Sequence, residues 1–268
     1  MDGSNTTWSR SALGLMWLFL AAVLLFLYAP LLPPLIHSFR DTEAGGLFAN
    51  YAAILDDPRL MGGVVNTLII GVAVAVITPL LALAVAQAIR EWGKPRLLLS
   101  LVLLPLFVPG VSMGVATAIF FKTLDIDPSL LTMIAVQVLW ALPFATLIIM
   151  TVMSSFEGAY LEAAYLLGSN RFQAFWNIEL PHIRPGLGGA AAFALILSFN
   201  ETIRTSIVQG RHNTLQTYLW AQYKQVGLSP TLYALMTLLI LVTLLVMLLL
   251  VFKARGGNPA SAGESQQP

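Results

Sequence analysis

Glu201 and Arg204 stand inside a stretch that is otherwise apolar, from about Pro185 to Val208. Ionisable side chains in a membrane-length apolar run are costly to keep and by default mark an ion or solute path. The two residues are three apart, so on a helix they share a face and can pair. Asn200 precedes them, with Ser198, Thr202, Thr205 and Ser206 nearby. A helical rise puts Glu201 about 24 Å beyond Pro185, towards the outer third of a bilayer. Two readings follow. Asn200, Glu201 and Arg204 line a translocation path or an outer gate, or the charged pair is structural and snorkels towards the outer surface.

Other chemistry-bearing patterns are weaker. Gly110-Val-Ser112-Met-Gly114 matches the nucleophile elbow of serine hydrolases. That motif needs a strand–turn–helix setting and a histidine partner. Here it follows Pro109 in an apolar run, and His37, His182 and His212 fall in loops or at span ends. Gly110 and Gly114 read better as a small-xxx-small pair that lets helices approach closely. The chain has no cysteine, and no His or carboxylate cluster has metal-ligand spacing. No catalytic residue, metal or cofactor is expected. No phosphate-binding loop is present either, since Gly93-Lys94 runs into Pro95 without the earlier glycine. Any nucleotide-derived energy therefore comes from another chain.

The elements that must position these residues follow from composition. Of 268 residues, 57% are hydrophobic and 10% charged, with a mean hydropathy of +0.80. A soluble domain carries roughly 25% charged residues. The formal charge of +1 leaves no basic surplus for nucleic acid. The chain reads as an all-α polytopic membrane protein. Apolar stretches long enough to cross a bilayer run from about Ala12 to Ile36, Val64 to Ile89, Leu97 to Phe121, Leu130 to Met153, Pro185 to Val208 and Leu232 to Phe252. They are continuous rather than alternating, so the six spans are helices and not barrel strands. Pro30, Pro33 and Pro34 predict a kink or an early stop in the first.

Basic residues set the direction. With the N-terminus inside, Arg10, Arg90, Lys94, Arg96, Arg171, Arg184, Lys253 and Arg255 face the cytoplasm. Arg40, Arg59, Lys122, Arg211 and Lys224 face out. Both termini are thus expected to be cytoplasmic. Residues 1–255 read as one membrane domain. Residues 256–268, rich in Gly, Ser, Gln and Pro, read as a disordered tail.

The inner connection from Ser154 to Arg184 is long. Its first part is rich in Ala, Leu and Glu, which favour helix, and Gly168 fits the left-handed position that ends one. Tyr160, Leu161, Ala164 and Tyr165 fall on one face. Ala163 and Ala164 leave part of the surface flat for a partner's approach. Pro181 and Pro185 are expected to break the chain before the fifth span. An interfacial helix lying on headgroups would be rich in Lys and Arg, and none occurs between Ser154 and Asn170.

This loop carries a resemblance. Glu162-Ala163-Ala164, three residues, Gly168, nine residues, Ile178, one residue, Leu180-Pro181 is similar to the signature of permease subunits of binding-protein-dependent ABC importers. Asn66-Thr67-Leu68, Leu103-Leu104-Pro105, Val108-Pro109-Gly110 and Leu142-Pro143-Phe144 also resemble that family in place and type. The resemblance implies a MetI-like fold of six transmembrane helices in a bacterial inner membrane. It implies that about Glu157 to Gly168 forms a coupling helix, seated in a cleft of a cytoplasmic ABC ATPase dimer. Glu162 would orient that helix by contact with backbone or a basic residue. The implied partners are that ATPase, a second permease subunit, a periplasmic or extracellular solute-binding protein and the bilayer.

The segment around Asn200, with Gly210 and Val226-Gly227-Leu-Ser229-Pro230, resembles the spermidine/putrescine branch. That branch pairs two different permeases, so a paralogous partner is implied, and the solute would be a polyamine or a similar small polar molecule. The branch tends to carry two acids where this chain has Asn200 and Glu201, and an apolar residue where it has Arg204. The alternative function is an ion-gradient-driven secondary transporter using Glu201. It predicts inverted repeats and broken helices near the midplane, and the sequence displays neither.

Overall fold

The computed structural model describes residues 10–256 apart from 41–45, 47 and 93. Every regular element among them is helical. The tail expected to be disordered lies, from 257 on, outside the described residues. Contacts among the described residues group them into two compact units.

Among the described residues, the first unit comprises those up to Asp57 and from Gln225 on. It begins with α1 (Arg10–Tyr28), a 3-10 turn (Ala29–Leu31) and α2 (Leu32–His37). The 3-10 turn falls at Pro30, as proline-induced loss of a backbone donor requires. From Leu13 to Tyr28 every side chain of α1 is exposed, a surface suited to lipid or another subunit. α3 (Ala49–Leu55) follows. Asn50 Nδ2 donates to the Ser38 carbonyl at 3.0 Å and the Arg40 carbonyl at 3.2 Å, which ties α3 to the end of α2.

The second unit spans Pro58–Lys224. It holds α4 (Pro58–Glu91), α5 (Pro95–Leu103), a 3-10 turn (Leu104–Phe107), α6 (Gly110–Thr123), α7 (Leu130–Ser154) and α8 (Ala159–Leu166). After these come α9 (Arg171–Ala174), a π-turn (Phe175–Glu179), α10 (Leu180–Phe199), α11 (Ile203–Val208) and α12 (Leu215–Gln225). In the first unit, α13 (Pro230–Gly256) closes the order and packs on α2 and α3. There His37 stacks on Tyr233 at 5.1 Å between ring centroids.

α4, α7 and α10 form the core of the second unit. One cluster joins Ile70, Val74, Met133, Val136, Ala141 and Ala194. A second joins Ala82, Ala86, Ala145, Ile149 and Ala190. Lipid is as apolar as these side chains, so burial alone does not hold the helices together. Small side chains do, because they let backbones approach and multiply dispersion contacts.

Three departures from the expected spans matter. The stretch Leu97–Phe121 is not one straight helix: Pro95–Phe107 and Gly110–Thr123 are bent by 104°. Pro109 forces the cause, because the residue before a proline is pushed out of the helical region, and Val108 is extended at ψ 125°. Next, Pro181 and Pro185 do not break the chain before the fifth span. One helical run extends from Arg171 to Phe199. The π-turn widens the helix just before Pro181, where the proline ring would otherwise meet the carbonyl four residues back. Finally, that run ends at Phe199, and α11 begins only at Ile203. Asn200 and Glu201 therefore sit at a break rather than inside a span, and broken helices, expected to be lacking, are present.

Among the described residues four helices are long and apolar enough to cross a membrane, or five with the bent pair as one crossing. α13 is 27 residues long, and its sequence stays apolar to Phe252.

Candidate functional site

The expected coupling residues lie together between α8 and the start of α10. Gly168 ends α8 with φ +86°, a conformation that side chains with a Cβ rarely adopt. Its N–H donates to the Tyr165 carbonyl at 3.0 Å, and the Ser169 N–H to the Ala164 carbonyl at 3.0 Å. This is the Schellman closure anticipated from the glycine's place in the sequence. Ala164 is buried, while Glu162, Ala163, Leu166 and Leu167 are exposed. Leu166 and Leu167 keep 89% and 88% of their surface accessible, an unusually bare apolar tip.

Glu162 does not make the contact expected of it. Its side chain is exposed and forms no hydrogen bond or ion pair among the described residues. Two helical residues turn about 200°, so burying Ala164 sends Glu162 to the far side of α8.

α8 is held from below by rings. Tyr160 stacks on His182 at 5.8 Å and Phe156 meets the same imidazole edge-on at 5.3 Å. Asn170 caps α9: its Oδ1 accepts from the Gln173 N–H at 2.9 Å, and Gln173 Oε1 accepts from the Asn170 N–H at 3.1 Å. Ile178 and Leu180 are half-buried, and Pro181 is exposed.

Between Ile178 and Leu180 lies a residue to which the sequence reading gave no role. Glu179 is 2% exposed. Arg90 of α4 grips it with both arms, Nη1 to Oε1 at 2.7 Å and Nη2 to Oε2 at 3.1 Å. Gln87 Nε2 adds a 2.7 Å bond to Oε1. One signal was legible, an acid set between two apolar residues of the motif. Its partner is 89 positions away, and no local rule names it.

The second group surrounds the break at residues 200–202, about 30 Å along α10 from Glu179. Glu201 and Arg204 pair as the i, i+3 spacing anticipates, Nη1 to Oε2 at 2.6 Å. Glu201 Oε1 also accepts from the Arg204 backbone N–H at 2.9 Å, so the carboxylate caps α11. The guanidinium carbon lies 3.8 Å from the Trp140 ring centroid, a cation–π contact. Gly110 floors the pocket: a Cβ there would come within 3.1 Å of Arg204 Nη2. At Gly114 a Cβ would lie 3.2 Å from Arg204 Cα and 2.6 Å from Ile207 Cδ1. The glycine pair thus serves close approach, with α11 as its neighbour. Ser112 lies within helix α6, not at a strand–helix turn.

Gln137 of α7 bridges the break. Its Nε2 donates to Thr205 Oγ1 at 2.9 Å and its Oε1 accepts from Ser198 Oγ at 2.5 Å. Asn200 stands apart. It is exposed, and its amide donates to its own helix at the Ile196 carbonyl, 2.8 Å away.

Comparison with known proteins bears on both groups. Residues 95–255, more than half of the chain, match the family described as "Binding-protein-dependent transport system inner membrane component". The spermidine/putrescine transport system permease protein PotC of Escherichia coli strain K12 is 23% identical over 255 residues, covering 92% of this chain and 96% of that protein. The putrescine transport system permease protein PotI of the same strain is 26% identical over 229 residues, covering 80% and 82%. A PotC homolog of Mycoplasma pneumoniae is 24% identical over 258 residues, covering 87% and 89%.

Proposed function

Because the chain belongs to the binding-protein-dependent transport system inner membrane components, which are transport permeases and not enzymes, we propose that its α8 segment is the handle by which a cytoplasmic ATPase dimer drives it. The observation that carries this reading is the bare tip of α8. Leu166 and Leu167 stand in the open on a helix closed by Gly168 and braced by His182. Water or headgroups would not favour such a tip, whereas a protein cleft would bury it. In this reading Glu162, Ala163, Ala164, Gly168, Ile178, Leu180 and Pro181 form the coupling surface and its support. Residues 154–184 and both termini face the cytoplasm, the membrane is crossed six times, and residues 1–255 act as one permease.

The partners are the ATPase dimer, a second and paralogous permease, and a solute-binding protein outside. The solute is a polyamine or a similar small polar molecule, in line with the names of the relatives. Asn200, Glu201 and Arg204 lie near the pathway. Both oxygens of Glu201 are already engaged by Arg204, so a polycation gains no free carboxylate there. The group serves instead as a neutral, pre-paired rim of the path. Broken helices also suit a gradient-driven carrier, but membership of a binding-protein-dependent family removes that alternative.

Purification of the tagged chain in mild detergent, with its transport operon expressed alongside, tests the reading. A soluble ATPase that co-purifies, and is lost on changing Leu166 and Leu167 to Asp, is the expected result. Gradient-driven uptake with no ATPase bound would overturn it.

A further inference from the structure

The coupling surface can do work only if its displacement reaches the membrane helices. α8 itself touches little beyond the segment that follows it. Its rings meet His182 at the start of α10, and α10 is joined to α4 at the same level by Glu179. α4 has 34 residues, or about 51 Å of helix, well beyond the roughly 30 Å of a bilayer core. α4 is thus longer than the hydrocarbon needs, and on the coupling reading its last turn, with Gln87 and Arg90, is the part that lies level with the loop.

The joint has unusual features for a surface ion pair. The Glu179 side chain is 3% exposed, whereas that of Arg90 is 40% exposed. The fork is bidentate, which fixes direction as well as distance. Gln87 supplies a third donor, so the buried carboxylate is satisfied. The π-turn at Phe175–Glu179 shifts the helical register by one residue and so presents Glu179 to α4. π-turns are poor helix, and they are commonly retained where function needs the altered register.

Resting on the coupling reading above, we propose that Glu179 and Arg90 are positioning residues that clamp the coupling loop to α4, so that the motion of the ATPase moves the base of α10 and the end of α4 together. Neither touches solute or nucleotide. The clamp acts by holding the base of α10 and the end of α4 as one body. The asymmetry of exposure gives the idea a distinctive signature. Removing Glu179's charge leaves a half-exposed guanidinium that water can take up. Removing Arg90's leaves a buried carboxylate with no counter-charge, which is far more damaging.

The test uses the complete transporter reconstituted in liposomes, with solute imported per ATP hydrolysed as the readout. A purely structural residue would lower the amount of complex but not this ratio. Glu179→Gln is expected to assemble with the ATPase, hydrolyse ATP and import roughly fivefold less per ATP, within the range for residues on a coupling route. Arg90→Gln is expected to be worse, and the double variant Glu179→Gln/Arg90→Gln to recover to the level of Glu179→Gln alone, the non-additivity of a contacting pair. A wild-type ratio in Glu179→Gln overturns the clamp. If that variant yields no complex, the double variant decides: a wild-type ratio overturns the clamp, and a reduced one supports it. Wild-type chain that binds no ATPase would instead overturn the coupling reading, and the clamp's role with it.

Discussion

Glu201 caps the helix that carries its own ion-pair partner, Arg204. One carboxylate oxygen accepts from the Arg204 backbone N–H at 2.9 Å and the other from its guanidinium at 2.6 Å. The chain is thereby restarted after the break at residues 200–202, and the charge of the cap is neutralised by the third residue beyond it. Trp140 covers the guanidinium from one side and Gly110 lies against it.

Removing the arginine should therefore harm more than removing both charges. Arg204→Leu leaves Glu201 buried and unpaired, at a cost of about 3–5 kcal/mol. The double change Glu201→Gln/Arg204→Leu should recover most of that loss. Thermal unfolding of the detergent-solubilised protein measures both, and equal destabilisation of the two variants would count against the pairing.

Gly114 should tolerate no side chain larger than methyl. A Cβ already meets Ile207 Cδ1 at 2.6 Å, a contact the side chain's tip can yield, but it also lies 3.2 Å from Arg204 Cα, which cannot move freely. Gly114→Val is expected to lose about 1–3 kcal/mol by overpacking. Ser112→Val, on an exposed position of the same helix, should change unfolding little.

Gly168→Val should loosen α8 without unfolding the membrane core. The left-handed φ of +86° costs a branched residue roughly 1–2 kcal/mol or more, borne locally by the last turn of α8. Import is expected to fall while the melting temperature of the whole chain stays within a few degrees. Gly158→Ala, at a position with open space and no positive φ, is the control and should transport normally.

Glu162→Lys should separate ATP hydrolysis from import. The side chain has no partner among the described residues, so insertion and stability should be unchanged, surface substitutions lying within about 0.5 kcal/mol. Import at the wild-type level by this variant would rule out a role for Glu162 at the ATPase interface.

What could be read from the residues alone follows locality. The membrane class came from composition, α8 from its Ala, Leu and Glu content, its end from Gly168, and the Glu201–Arg204 pair from i, i+3 spacing. The last three depend on neighbours within one or two turns. The breaks were less accessible, although their signals were present. Val108-Pro109-Gly110 and the polar run Asn200-Glu201-Thr202 both favour a stop, but apolar residues on either side dominate a long hydropathy window. The opposite error arose at Pro181 and Pro185. Proline predicts a break there; at Pro181 a π-turn, a feature of backbone geometry with no residue code of its own, absorbs it, while Pro185 lies inside α10.

By itself the amino-acid order determined that this is a helical membrane permease with a protruding loop, because apolar length, helix-stop residues and motif spacing are properties of contiguous chain. Only the tertiary structure decided which buried acid is held by which base. Glu179 meets Arg90 across 89 positions and Arg204 meets Trp140 across two helices. Such pairings are selected by the free-energy cost of leaving a charge unpaired in a low-dielectric interior. That cost exists only once the helices have packed and excluded everything else.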